Sequence, residues 1–63
     1  MMNEVPPSQE RLSRILMSMM GDTSLVNRWW NTPNQFWNGE TPITVFQRDP
    51  INVRNYIWSY LDK

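Results

Sequence analysis

SQERLSRILMSMMG, residues 8–21, spells a helix from its start to its stop. Ser8 is suited to the N-cap, because a serine hydroxyl can accept from a backbone N–H that the first turn leaves unpaired. Glu10 falls in that first turn, where the helix dipole favours an anion. Leu12, Ile15, Leu16, Met19 and Met20 recur at i, i+3, i+4, i+7 and i+8, the spacing of one apolar face of an α-helix. Gly21 follows as the residue most at ease in the left-handed conformation on which helices commonly end. Cap, stripe and stop agree, so this segment is read as an amphipathic helix.

The same signature closes the chain. In DPINVRNYIWSYL, residues 49–61, Asp49-Pro50 is a cap followed by a proline at the first helical position. Val53, Tyr56, Ile57, Tyr60 and Leu61 then repeat the helical template. Between these two helices, Asp22 or Thr23 caps a shorter one. Its apolar residues Leu25, Val26, Trp29 and Trp30 spread over about 140° of the helix wheel. Thr32-Pro33-Asn34 ends it, because the residue before a proline avoids the α region. Gln35 to Glu40 reads as a loop in which Gly39 is free to take positive φ. Thr41-Pro42 opens a third short helix to about Gln47, with Val45 and Phe46 as core residues. No segment alternates with the period of a strand. Residues 1–7, which contain Pro6-Pro7, read as a disordered leader. Residues 8–63 read as a single all-α domain, a compact bundle of about four short helices.

Composition narrows what such a domain can do. A chain of 63 residues buries only about 60% of its unfolded surface and needs a strong core or a staple. Cysteine and histidine are both absent, which removes disulfides, thiolate metal sites, the commonest zinc ligand and the usual general base. No cofactor is expected. The 4 Trp, 2 Tyr and 2 Phe supply a heavy apolar load instead. Six basic and six acidic residues balance, and Arg11, Arg14, Arg28, Arg48, Arg54 and Lys63 are dispersed. A nucleic-acid partner, which requires clustered cations, is therefore not expected. No apolar run approaches about 18 residues, so a membrane span is not expected either. The opening MMNEVPPSQE lacks the basic and apolar regions of a secretory signal, and a cytoplasmic location is the expectation.

Catalysis has little to work with. Asp22, Asp49 and Thr41 all stand where helices begin and read as caps, and two glycines cannot build a phosphate-cradling loop. The chain is not expected to be an enzyme. The tryptophans say more. Trp29 lies on the Leu25 stripe and reads as core. Trp30 sits about 100° further round, beside Val26, and is equally compatible with core and surface. Trp58 falls about 140° from Val53, with Ile51 at nearly the same angle, so the last helix carries a second apolar strip. Met17 does the same on the first helix. These strips either pack internally or form an exposed patch of the kind that marks binding surfaces, where Trp and Met are enriched. Met17, Trp30, Trp37, Ile51 and Trp58 are therefore the candidate partner-binding residues.

The run Trp29-Trp30-Asn31-Thr32-Pro33-Asn34, then Gly39-Glu40-Thr41-Pro42-Ile43, then Asp49-Pro50-Ile51-Asn52-Val53 resembles the toxin-binding domain of the Xre/MbcA/ParS type of antitoxin. The resemblance spans Leu25 to Leu61. That family looks like a helix ending in Trp, a Pro-Asn turn, a Leu-Gly-Gly loop, a Thr-Pro helix start and a closing helix. Trp37-Asn38 stands here where the family tends to show Leu-Gly. Pro33, Asn34, Gly39, Thr41 and Pro42 are the structural turn residues: one stops a helix, one shapes a turn with its own side chain, one supplies unusual backbone geometry, and two restart the helix. The resemblance implies an all-helical module that binds and blocks a toxin enzyme, often one that consumes NAD. Only one helix precedes the module, too little for the helix-turn-helix region such antitoxins usually carry, so control of its own operon is not expected. The function expected is a non-enzymatic protein-interaction module of antitoxin type. The alternative is a self-associating structural or accessory protein of a phage or mobile element, for example a homodimer.

Overall fold

A computed structural model describes residues 8–61, with the backbone alone for Leu61; the leader assigned to residues 1–7 lies outside the described residues. Among these, four α-helices follow one another: α1 (Gln9–Met20), α2 (Thr23–Asn31), α3 (Pro42–Arg48) and α4 (Pro50–Leu61). The all-α bundle expected from the sequence is the fold observed.

The caps do the local work. Ser8 Oγ accepts from the Arg11 N–H at 3.0 Å. Gly21 ends α1 at φ 76°, with its N–H donating to the Met17 carbonyl. Asp22, rather than Thr23, caps α2, its carboxylate accepting from the Ser24 N–H at 2.8 Å. Thr41 caps α3 through the Thr44 N–H, and Pro42 occupies the first turn. Asp49 closes α3 by donating its N–H to the Val45 carbonyl, and it accepts from the Asn52 N–H at the start of α4.

The segment between α2 and α3 is tighter than a plain loop. Gln35–Trp37 form one 3-10 turn, flanked by an isolated antiparallel bridge between Asn34 and Glu40. Asn34 organises it. Its side chain accepts from the Phe36 N–H at 2.8 Å, its carbonyl accepts from the N–H groups of Trp37 and Gly39, and its N–H donates to the Glu40 carbonyl. Asn38 and Gly39 both take positive φ, 57° and 89°. Asparagine is one of the few side-chain-bearing residues that enter this region readily, so Asn38 closes the turn here without a second glycine.

The four helices close a ring: α1 packs on α2, α2 on α3, α3 on α4, and α4 back on α1. Its centre holds Leu12, Leu16, Val26, Trp30, Trp37, Val45, Val53 and Ile57. Three expected stripes are used only in part. On α2 the buried edge of the broad apolar arc is Val26 and Trp30, while Trp29 is half-buried and Leu25 is 42% exposed. One arc of about 140° is wider than the core can receive, and the edge that faces α1 and α3 goes in. On α1 and α4, Leu12, Leu16, Val53 and Ile57 are buried, but Met19 and Tyr60, near the C-terminal ends of these helices, are exposed.

Candidate functional site

The structure does not gather the five candidate partner-binding residues at one surface. Trp30 and Trp37 are corrected to core: they are 2% and 8% exposed. Each indole also satisfies its N–H within the chain. Trp30 Nε1 donates to Ser13 Oγ at 2.9 Å and Trp37 Nε1 to Asn52 Oδ1 at 3.1 Å. Two flat rings with their polar edges already bonded fill the centre of a small domain well and offer a partner nothing. Met17 is exposed and lines a crevice between α1 and α2 with Arg14, Thr23 and Asn27. Ile51 is half-buried. Trp58 is 46% exposed, its ring beneath the Arg54 guanidinium at 4.5 Å. The turn residues all lie where the turn requires them: Pro33 just past Thr32, the residue that ends α2, Asn34 and Gly39 on either side of the 3-10 turn, Thr41 and Pro42 at the head of α3.

Seven of the eight aromatic side chains form one network, with Trp58 outside it. Trp29 stands edge-on to Trp30 and Trp37 and stacks on Tyr56 at 6.2 Å. Phe46 meets Trp30 edge-on. Tyr56 is the hub, with Trp37 at 4.7 Å, Phe36 at 4.6 Å and Tyr60 at 5.1 Å. Aromatic pairs in such offset and edge-to-face arrangements hold each other's orientation. The network begins in the core and surfaces at Phe36, which is 63% exposed.

Where it surfaces, it meets the unused ends of the helical stripes. Leu16, Met19, Met20, Trp29, Tyr56, Ile57 and Tyr60 line a groove of about 180 Å³. Met20 and Trp29 also line the adjoining hollow with Leu25, Arg28 and Thr32. The two share those residues and so form one apolar face, with Arg28 the only charged lining residue among the described residues. Sequence reasoning missed this face because Met19, Leu25 and Tyr60 sit on stripes that signal core. Phe36 carried a usable signal: a large aromatic in a loop, outside any helical stripe.

The polar groups are occupied elsewhere. Asp22 and Thr41 are caps, and Asp49 bonds the first turn of α4. The hydroxyl and backbone N–H of Ser24 hold the Asp22 carboxyl below its ordinary value. Glu10 pairs with Arg14 at 3.3 Å and Glu40 with Arg48 at 2.8 Å. Among the described residues no three His, Cys, Asp or Glu side chains are grouped to hold a metal ion, and no helix is long and apolar enough to cross a membrane. Comparison with protein-family models, curated proteins and solved structures returns no match.

Proposed function

We propose that this chain is a non-enzymatic protein-interaction module of antitoxin type, and that its apolar face binds the partner. The observation that carries this reading is the continuity of that face. Met19, Leu25 and Tyr60 are exposed around an aromatic floor of Trp29 and Tyr56, and exposed Phe36 packs on the Tyr56 ring. Monomeric proteins seldom leave a contiguous patch of Met and aromatic side chains in water unless something covers it. The turn sequence around Pro33, Asn34, Gly39 and Thr41-Pro42, which carries the resemblance to the antitoxin domain, supports the same assignment. In this reading the partner is a toxin enzyme that the module blocks by occupying its surface.

The test is functional. Each gene flanking that of this chain is expressed alone and together with it. One product is expected to arrest growth, the intact chain to relieve the arrest, and Leu25→Glu, an exposed change, to abolish relief without unfolding the chain. Absence of any arrest, or relief that survives Leu25→Glu, overturns the assignment.

A further inference from the structure

We infer that the segment bound by this face is an amphipathic helix of another protein with acidic residues along its apolar stripe. This rests on the reading of the chain as a protein-interaction module and names the chemistry of its partner.

The charges divide unevenly between internal use and exposure. Every carboxylate among the described residues is engaged within the chain: Glu10 with Arg14, Asp22 with Ser24, Glu40 with Arg48, and Asp49 with the Asn52 N–H. The arginines outnumber those partners. Among the described residues, the guanidinium groups of Arg28 and Arg11 have no hydrogen bond or ion pair. Arg54 has only Asn55 and the Trp58 ring. Arg28 lines the apolar face itself. The face is thus apolar over most of its lining and cationic where Arg28 borders it.

A groove between helix ends, floored by rings and Met side chains, suits the apolar stripe of a helix, with anchors at i, i+3, i+4 and i+7. Charge complementarity then selects the flank, since acidic side chains meet Arg28 and basic ones are repelled. A second copy of the chain is a poor occupant by the same criterion. It brings the same Arg28 to the interface, and its described carboxylates, Glu10, Asp22, Glu40 and Asp49, are already engaged within the chain.

The probe is a pair of synthetic helices of about 18 residues, roughly five turns. They share one Leu/Phe stripe and differ only in having Glu or Lys beside it. Each is titrated into the ¹⁵N-labelled full chain. The Glu helix is expected to bind at least about tenfold more tightly, to shift the amides of Met20, Leu25, Trp29, Phe36 and Tyr56, and to lose its advantage on Arg28→Glu. Arg28 is exposed, so that variant keeps its fold, which the same spectra verify. Equal affinities, preference for the Lys helix, no binding, or shifts centred on Ile51 and Trp58 overturn the inference. So does a dimer, seen by light scattering, that Leu25→Glu dissociates. Growth relief without the Glu preference keeps the antitoxin reading and overturns the acidic partner. The Glu preference without growth relief supports the acidic partner and overturns the antitoxin reading.

Discussion

The indole N–H of Trp30 on α2 donates to the hydroxyl of Ser13 on α1 at 2.9 Å, across 17 residues of chain. This polar bond helps to register the first two helices, and it lies at the edge of the core, with Trp30 buried and Ser13 half-buried. Ser13→Ala strands a buried donor and is expected to cost about 1–3 kcal/mol. For a domain this small, each kcal/mol lowers the melting temperature by roughly 4–8 °C. Trp30→Phe, which has no N–H, should make the Ser13→Ala change nearly harmless. A double-mutant cycle in denaturant measures the difference, and additive effects would show that the bond contributes nothing.

Trp37 ties the 3-10 turn to α4 through Asn52 and through its contact with Tyr56. Trp37→Ala is expected to remove about 3–5 kcal/mol, a large part of what a small domain possesses. Asn52→Ala should remove less, about 1–2 kcal/mol, because it deletes one acceptor and little packing. A melt of Trp37→Ala close to wild type would place this ring at the surface after all.

Trp58 behaves differently from the other tryptophans. Outside the aromatic network and half in water under Arg54, it is expected to contribute about 0.5–1 kcal/mol through the cation–π contact. Trp58→Ala should therefore keep its helical circular dichroism and melt within a few degrees of wild type. Binding to the Glu-flanked helix should also be unchanged. Reduced association would move the interface to the outer side of α4, with Ile51.

Acid should act on the start of α2. The Ser24 hydroxyl and N–H stabilise ionised Asp22, lowering its folded-state pKa below the ordinary 3.8. The group therefore contributes stability that is present above about pH 3.8 and is lost as pH falls through the lowered folded value. Asp22→Asn keeps a capping oxygen but no titration. Melting temperatures measured down through this range should fall less steeply for Asp22→Asn than for wild type. Parallel curves would mean that Asp22 plays no part in the acid response.

Local chemistry was legible in the sequence. Ser8, Gly21, Asp22, Thr41-Pro42 and Asp49-Pro50 act within a turn of themselves, so their meaning does not depend on what the rest of the chain does. They placed four helices, and the third ran only one residue past its expected end, to Arg48. Asn38 at φ 57° fits the same rule, because left-handed geometry is a property of one residue and its neighbours.

The apolar face was not legible, and the reason is geometric. A helical stripe states which side of a helix is apolar, but not how much of it a neighbour will cover. Leu25 and Trp30 stand at opposite edges of the same arc on α2, and only the direction of α1 and α3 puts Trp30 inside and Leu25 in water. Met19 and Tyr60 match the core template as well as Leu12 and Ile57 do, yet near the ends of α1 and α4 they outrun the core. Trp37, set in a loop with no periodicity, is buried because the Asn34-centred turn folds it back onto α4. Sequence by itself determined where the helices begin and end, since those are short-range events. Which apolar residues face water was decided only when four helices closed a ring too small to cover all of them.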